Sequence, residues 1–570
     1  MGDISRGRAR TPLSVERLAQ IQRVSGQFLA IRSSVPPGPK PDAVETNPER
    51  IGMLLEALTR TGHRFSLRPW PEGDGPEARG AVSFALETRA AYADYRFLLR
   101  MRGESVELVR LERHGTRASP RYPAPPTVDL VFQPPLRPGE MVSRRVLFVS
   151  RDEIVCEADP ESDGFIPGLA IPEVCLRWKG GELRFAGTVL ATGVCDGSTA
   201  TIALTPFDDH TAGWWQEELD GVAHPNTAVG TSAPEELWEL FADSGYFNIS
   251  DKSTADFLDL HGAFVVASRK LALAPHLGGQ VDWRSRHGID CSVTLLRAWH
   301  EASLVYHVAR RRERPLALSG NRSLYEVYHH ALEHASRDPL LRWLVVYIKT
   351  DGARFTRLLH KDFPSWHDDG QRASLVRFRA MAGRTDAAAE ADDEPSWDVA
   401  PAEAPELDLL ARRIAHLRTP AYVEALDLTR RRLKSPALER AWSRAGLARK
   451  REILIARREG QPVAAAVLDL AEDGLHLFGL LDVVRVFPLV EGAEAAYEPL
   501  LRAAARWYAA RGKATFTYFD EWFDGTAQRL GLEDLGEAWL TVTRTDLLPE
   551  LFETLLVATA PERAGAHGWP

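Results

Sequence analysis

Residues 451–471, REILIARREGQPVAAAVLDLA, contain two apolar runs on either side of a short polar segment. The runs cover 452–457 and 463–470, and the segment 458–462 between them contains Gly460 and Pro462. Apolar runs of this length, separated by turn residues, are typical of a β-hairpin. The stretch therefore predicts two paired strands at the start of the last third of the chain.

Further elements follow the hairpin, and the hydrophobic period changes after residue 487. A turn at 471–474 opens a third apolar run over 475–487, predicted as a strand. From 494 to 511 the spacing becomes helical, and Gly512 ends the pattern. The segments 514–519 and 539–543 are predicted as strands, and 525–531 is predicted as a short helix.

This order of elements resembles the core of the GNAT acyltransferases, and the segment 526–532, TAQRLGL, is similar to the helix that ends in Leu-Gly-Phe in that family. The resemblance covers the chain from Leu407 to the last strand. It implies that acetyl-coenzyme A or another acyl-CoA lies across the splayed strands after 475–487. Its pyrophosphate would meet the first amides of the helix at Glu494, because helix N-termini bind anions. Gly492 and Arg485 are the cofactor-binding residues on this reading.

The phosphate loop of this sequence departs from the family pattern. Only the central Gly492 is kept, and Leu489 and Glu494 stand at the outer positions. Glu491, Glu494 and Glu498 place negative charge where a pyrophosphate would bind. Carboxylates a few ångströms away repel a phosphate by roughly 1 to 4 kcal/mol. Acidic residues in a first helical turn also complement the helix dipole without any catalytic role.

The general acid of the family is also replaced. Ala527 stands where these enzymes usually have a tyrosine that protonates the leaving thiolate. Tyr518 and Asp520, at the end of the preceding strand, are the candidate catalytic substitutes, and a core position in the sheet is the alternative for Tyr518.

Length and composition narrow the class of protein. A chain of 570 residues exceeds a single core, so a multidomain protein is expected. The net charge of -9 gives no global reason to bind nucleic acid. The sequence has no apolar run long enough to span a bilayer, and a cytoplasmic location is expected. No Cys-x-x-Cys pair is present, so the four cysteines are expected to be reduced thiols.

Composition and periodicity divide the chain into six segments. We predict an N-terminal helix over 13–30 and a Pro-rich connector within 1–50, a β-rich region over 51–206, a linker over 207–233, a mixed α/β unit over 234–382, an acidic Ala/Pro linker over 383–405 and the GNAT-like domain over 406–560. The unit over 234–382 is read as a more divergent copy of the GNAT-like domain. The predicted fold class is an N-terminal β-barrel followed by mixed α/β domains.

The β-rich region contains Arg117 and Arg121 before a series of short strands. An Arg-x-x-x-Arg motif ahead of a small barrel resembles the PilZ family, whose members bind cyclic di-GMP through these arginines. Of the second half of the family motif, the segment 148–153 keeps only Ser150. The resemblance implies a degenerate PilZ-like barrel with Arg117, Arg121 and Ser150 as nucleotide-binding residues, and a solvated pair of loop arginines is the alternative.

The mixed unit has a predicted helix over 296–310, and the resemblance to GNAT enzymes, if it extends to this unit, implies that the helix flanks the acceptor cleft. His300 and Glu301 are then the candidate catalytic bases. His329, His330 and His334 lie on another predicted helix, over 323–335. They lack the Glu of a His-Glu-x-x-His motif, and no metal site is predicted.

Two functions follow from these patterns. The first is an acyl-CoA-dependent N-acyltransferase that acts on a small-molecule or protein amine. The second is a non-catalytic signalling or scaffolding protein, either a cyclic di-GMP receptor or a module that binds a protein partner. The sequence leaves the enzyme status and the oligomeric state open.

Overall fold

The computed structural model describes residues 13–14 and most of 41–559, and its longest gaps within that range are 70–81, 193–198, 312–319, 351–369 and 387–396. The chain divides into two compact units. The first unit contains Met1–Pro225 and Pro549–Pro570, and the second contains Asn226–Leu548. The helix predicted over 13–30 lies outside the described residues, except for Leu13–Ser14, which are extended.

The first unit begins with a six-stranded antiparallel sheet. Its elements are β1 (Leu13–Ser14), β2 (Ala43–Glu45), α1 (Pro48–Arg60), β3 (Phe65–Pro69), β4 (Val82–Arg89), β5 (Asp94–Arg102) and β6 (Ser105–His114). The apolar face of α1 packs on the sheet through Leu54 and Leu58. Glu553, on the C-terminal helix Leu548–Thr559, accepts a 2.8 Å hydrogen bond from Arg113 and so joins the end of the chain to this sheet.

A closed six-stranded barrel follows in the first unit. Its six strands are β8 (Asp129–Phe132), β9 (Val142–Val149), β10 (Glu153–Glu157), β11 (Ala170–Trp178), β12 (Gly181–Thr192) and β13 (Thr199–Pro206). A short additional strand, β7 (Tyr122–Pro123), pairs with β9. The six strands pair in the order β10-β13-β12-β11-β8-β9, and the pairing of β9 with β10 closes the barrel. Helix α2 (Asp209–Ala223) packs on it through Trp215 and Leu219. The polar segment predicted as a connector over 207–233 is therefore helical in part, because Asp208 caps a helix with an apolar stripe.

The second unit is built on one twelve-stranded sheet. Its first half contains β14 (Thr227–Val229), α3 (Pro234–Ser244), α4 (Thr254–Ala272), β15 (Gly278–Ser285), β16 (Gly288–Leu296), β17 (Ala302–Arg310), α5 (Gly320–Ser336), β18 (Trp343–Lys349) and β19 (Ala373–Arg384). Its second half contains β20 (Asp398–Pro401), α6 (Ala404–Leu417), α7 (Pro420–Ala425), α8 (Pro436–Arg444), β21 (Arg449–Arg458), β22 (Gln461–Ala471), β23 (Val483–Pro488), α9 (Tyr497–Ala509), β24 (Thr515–Asp520), α10 (Thr526–Arg529) and β25 (Glu533–Arg544).

The two halves exchange their last strands. The sheet order is β14-β15-β16-β17-β18-β25-β19-β24-β23-β22-β21-β20. The last strand of the second half, β25, pairs with β18 of the first half, and the last strand of the first half, β19, pairs with β24 of the second. Neither half completes its sheet without a strand from the other, so the halves are expected to unfold together. None of the described helices combines the length and the apolar character that crossing a bilayer requires.

A buried ionic network ties the strands of the second half together. Arg451 donates to both carboxylate oxygens of Asp469, at 2.8 and 2.9 Å, and Arg449 donates to the same group at 3.3 Å. Arg485 lies 3.6 Å from the Asp469 carboxylate and donates a 3.0 Å hydrogen bond to the Tyr347 hydroxyl on β18. The network therefore connects β21, β22 and β23 with a strand of the first half.

Several sequence predictions are confirmed and one helix is wrong. The hairpin at 452–457 and 463–470 is present as β21 and β22, and the strand predicted over 514–519 is β24. The helix predicted over 296–310 is instead the end of β16, a turn and the whole of β17. Residues 302–306 are buried on both faces of the sheet, and such a strand is a continuous apolar run that periodicity cannot distinguish from a helix.

Asp469→Asn is expected to destabilise the second unit by about 3 to 5 kcal/mol, because it leaves buried guanidinium groups without their counter-charge. The matched control is Asp398→Asn, since Asp398 also pairs with an arginine, Arg457 at 3.4 Å, but is 69% exposed. We expect the control to change stability by no more than about 1 kcal/mol. Urea unfolding followed by circular dichroism measures both, and equal effects would show that the network contributes little.

The same carboxylate predicts a pH dependence. Burial raises the pKa of Asp469, but the charges of Arg451 and Arg449 outweigh burial and hold the pKa at about 2. The folded pKa lies below the ordinary value, so the stabilisation is complete above pH values near 4. It is lost as the pH falls toward about 2. Acid unfolding of Asp469→Asn should lack this component, and an acid transition with the same midpoint in both proteins would contradict the assignment.

Candidate functional site

The twelve-stranded sheet opens at two places, and each opening lies between two parallel strands. β17 and β18 pair in parallel only from Ala302 to Val305 of β17, although both strands continue. β23 and β24 pair in parallel only from Val483 to Arg485 of β23. Strands that continue after their pairing ends must separate, which exposes backbone groups between them. We call these places the first split (β17 and β18) and the second split (β23 and β24).

The second split is filled by a side chain of the protein itself. The indole N–H of Trp522 donates a 2.7 Å hydrogen bond to the carbonyl of Val486, the first residue of β23 beyond the parallel pairing. The guanidinium of Arg418 lies 4.2 Å from the centre of the Trp522 ring. A ligand that ran along β23 would have to displace this indole and replace its hydrogen bond.

The predicted cofactor-binding residues at the second split are not brought together. Gly492 has a φ of 69° and is exposed, and it precedes the 3-10 helix Ala493–Ala496. Arg485 is 2% exposed and its side chain contacts Asp469, Glu521 and Tyr347. The charge of Arg485 is therefore directed into the buried network and not toward the loop glutamates.

Tyr518 and Asp520 do share one face of β24, and both are buried. They are 0% and 1% exposed. Among the described residues, the Tyr518 hydroxyl and the Asp520 Oδ2 atom have no hydrogen-bond partner. The other oxygen of Asp520 accepts from the backbone N–H groups of Trp522 and Phe523, at 3.2 and 2.7 Å.

His307 lies just beyond the first split, at an irregular point of β17. Its φ of 53° is unusual for a residue with a side chain. The register with β16 shifts here, since Tyr306 faces Thr294 and Ala309 faces Ser292. A bulge of this kind redirects a side chain. Here it puts the rings of the consecutive residues Tyr306 and His307 in contact, with centroids 4.2 Å apart.

Aromatic rings surround His307. Its ring centroid lies 5.1 Å from Phe241, 5.8 Å from Tyr246 and 5.8 Å from His476, and His476 stacks on Tyr306 at 5.3 Å. We call this group the histidine–aromatic cluster, and its members are His307, His476, Tyr306, Tyr246, Phe241, Phe264 and Phe478. His476 and Phe478 come from the segment between β22 and β23, so the second half contributes to a cluster that lies on the first.

The electrostatics of the cluster favour neutral histidines. Burial, and then the neighbouring His476, lowers the pKa of His307 well below the ordinary value. Burial lowers the pKa of His476 to about 3. The Nε2 atom of His307 is buried and has no hydrogen-bond partner among the described residues. A neutral imidazole with one unoccupied nitrogen can accept a proton from a bound group.

His300 and Glu301, the predicted bases, lie in the turn between β16 and β17 and not on the predicted helix. The backbone N–H of His300 donates to Asp427 at 2.7 Å, and Glu301 pairs with Arg432. Sequence reasoning missed His307 and His476 as a pair. The positive φ of His307 has no sequence signal, since glycine is the usual residue there.

In the barrel of the first unit, the described residues of the PilZ-like motif, Arg121 and Ser150, make hydrogen bonds within the protein. Arg117 lies outside the described residues. Arg121 donates to the Glu153 carboxylate at 2.5 Å. The Ser150 hydroxyl donates to the carbonyl of Glu153 at 3.0 Å and accepts from its N–H at 3.1 Å, so it holds the tight turn between β9 and β10. A carboxylate of the chain thus occupies the side of Arg121 that a ligand phosphate would need.

Comparison with known proteins gives structural similarities only. No family model and no curated protein matches the chain. A tandem GNAT protein from the clavulanic acid biosynthesis pathway is 10% identical, with 56% of this chain and 98% of that one covered and a TM-score of 0.32. A GCN5-related N-acetyltransferase from Kribbella flavida is 14% identical over 50% of this chain and 95% of that one, with a TM-score of 0.29. The MrkH–c-di-GMP complex of K. pneumonia is 11% identical over 32% of this chain and 97% of that one, with a TM-score of 0.25. These scores are low, and the activities of those proteins are not carried over to this chain.

Proposed function

We propose that this protein is an N-acyltransferase that uses an acyl thioester such as acetyl-coenzyme A and that the transfer takes place at the first split. The proposal rests on the buried Nε2 atom of His307, which has no hydrogen-bond partner in the described part of the chain and lies beside the end of a parallel strand pair. The second half then has a supporting role, because its own split is filled by Trp522.

The first split fits an extended donor better than the second does. Beyond Val305 the edge of β17 that faces β18 has no ladder partner in the parallel register, and an amide-containing ligand arm can pair with such an edge. In sequence, Arg312 and Arg314 lie between β17 and α5, whereas Glu491 and Glu494 occupy the comparable position between β23 and α9. Basic residues suit the phosphates of coenzyme A and the glutamates oppose them. When bound, the thioester would supply an activated acyl group.

His307 acts as the general base in this proposal. An amine must lose a proton as it forms the new C–N bond, and Nε2 of a neutral imidazole can take that proton. The lowered pKa of His307 keeps the imidazole neutral at pH 7, and it also makes the imidazole a weaker base. The departing sulfur takes up a proton as the C–S bond breaks. Tyr246, whose pKa is raised by burial, stays protonated and hydrogen-bonds to the backbone of His307, so it is the candidate donor.

His307→Gln is expected to lower amine-dependent thiol release from acetyl-coenzyme A by about 100-fold or more, because glutamine keeps the shape but cannot take up the proton. Binding of acetyl-coenzyme A, measured as the shift of the unfolding midpoint, should remain. The assay uses a pool of spermidine, ethanolamine and lysine as acceptors.

His261→Gln is the matched control for the base. His261 packs edge-on against Trp238 in the same half but is not a member of the histidine–aromatic cluster. We expect it to leave thiol release unchanged. Equal activity of His307→Gln and the unmodified protein would remove His307 as the base, and no midpoint shift with acetyl-coenzyme A would remove the donor site.

The Arg121–Glu153 pair weighs against the alternative of a cyclic di-GMP receptor. We expect cyclic di-GMP to bind the unmodified protein weakly, because the dinucleotide must displace a carboxylate of the chain. Glu153→Gln should tighten binding several-fold, and adding Arg121→Ala should abolish the gain. Calorimetric titration tests this. Tight binding by the unmodified protein that Arg121→Ala removes would favour the signalling function.

A further inference from the structure

We infer that the second half contains a binding site for a primary ammonium group, formed by Tyr518, Asp520 and Tyr497 beside the carboxylate of Asp524, and we call it the Asp520 site. It goes beyond the proposed acyl transfer and does not depend on it. The site lies between the end of β24, the turn after it and the start of α9. The resemblance to GNAT enzymes implies a pyrophosphate near the start of α9. A pyrophosphate is negatively charged, whereas the ammonium group inferred here is positively charged.

Two buried oxygen atoms of the Asp520 site lack partners. Tyr518 and Asp520 are two residues apart on β24 and therefore point to the same face of the sheet. This face packs against α9, as the contacts of Tyr518 with the cluster that contains Tyr497 show. Neither the Tyr518 hydroxyl nor Asp520 Oδ2 has a hydrogen-bond partner among the described residues. Leaving such atoms unsatisfied is costly, so a ligand that donates to them recovers that free energy.

The rest of Asp520 is fixed. Its Oδ1 atom accepts from the backbone of Trp522 and Phe523, which orients the carboxylate and leaves Oδ2 available. Phe523 has a φ of 56°. The turn therefore holds a strained residue while it positions a single carboxylate oxygen, an arrangement that is common where a ligand binds.

The surroundings of Asp520 are negative. Burial raises the pKa of Tyr497, and the charges of Glu494, Asp524 and Asp520 raise it further. The positive charges of Arg379 and Arg418 act on Asp520 and Tyr497, and each of these arginines pairs with a glutamate, Glu537 and Glu521 respectively. Arg379 donates to Glu537 at 2.8 Å, and Arg529 donates to the Thr526 hydroxyl at 2.6 Å. The site is therefore matched to a cation and not to a phosphate.

The donor set selects an ammonium group over a metal ion. Ca²⁺ takes six to eight oxygen ligands and Mg²⁺ takes six. Asp524 is already engaged, because Thr526 donates to both of its carboxylate oxygens, at 3.1 and 2.5 Å. Asp520 Oδ2 and the tyrosine hydroxyls are too few for either ion. An ammonium group has three donors, and it is attracted to the faces of tyrosine and tryptophan rings.

The test is a calorimetric titration of the full chain with n-butylammonium chloride, with sodium chloride at the same ionic strength as the reference. We expect saturable binding by the unmodified protein. Asp520→Asn and Tyr518→Phe should each weaken it by at least about tenfold, which corresponds to 1.4 kcal/mol. Asp398→Asn removes the same charge from an exposed position in the same half and should leave binding unchanged.

Stability separates a binding site from a structural role. If the two oxygens bind a ligand, both variants should keep or raise the unfolding midpoint without amine, because Tyr518→Phe removes an unsatisfied buried hydroxyl and Asp520→Asn removes a buried charge. Loss of stability in both variants with unchanged amine binding would overturn the inference. So would no binding by the unmodified protein, or tighter binding of calcium chloride. None of these readouts involves acetyl-coenzyme A, so the acyl-transfer proposal can fail or hold independently.

Discussion

The carboxylate of Asp469 is the constraint on which the second unit depends. It lies on β22 with arginines from the neighbouring strands β21 and β23 around it, and it is 4% exposed. A buried charge of this kind is tolerated only when its partners are fixed. Pairing the Asp469 carboxylate with these arginines fixes the register of β21, β22 and β23 at once. Because Arg485 also donates to Tyr347 on β18, the same network orients the second half against the first.

The exchange of last strands strengthens this dependence. β25 lies between β18 and β19, so the first half has an unpaired edge until residue 544 is in place. An open sheet edge is a site of unwanted pairing, and the exchange covers the edges of both halves with one another. The two halves therefore form one continuous sheet, and a substitution that destabilises one half is expected to destabilise the other.

This arrangement allows the two splits to differ. In the second, Trp522 hydrogen-bonds to the strand that a donor would need, and the acidic residues around Asp520 repel phosphate. In the first, the parallel pairing ends beside His307, whose ring nitrogen has no partner among the described residues. Under the two proposals, the first split carries out the transfer and the second half binds a different ligand, a primary ammonium group.

Much of the fold was predictable from local patterns, because hairpins and amphipathic helices depend on neighbouring residues. The hairpin of β21 and β22 and the helix α9 belong to this class. β17 was not predictable, since a strand that is buried on both faces does not show the alternation of apolar and polar residues that marks a strand. The candidate site was harder still. His307 and His476 are far apart in sequence, and only the exchange of strands and the loop before β23 bring them together.

The position of His476 depends on a single glycine. Gly474 has a φ of 83°, and a Cβ atom there would lie 2.3 Å from the backbone of Ala263 and Phe264 on α4. The segment before β23 can approach α4 only because this residue has no side chain. That close approach brings His476 and Phe478 against Tyr306 and Tyr246. The run 475–487, which reads as one strand in sequence, therefore begins as a loop whose rings complete the histidine–aromatic cluster, and the strand starts only at Val483.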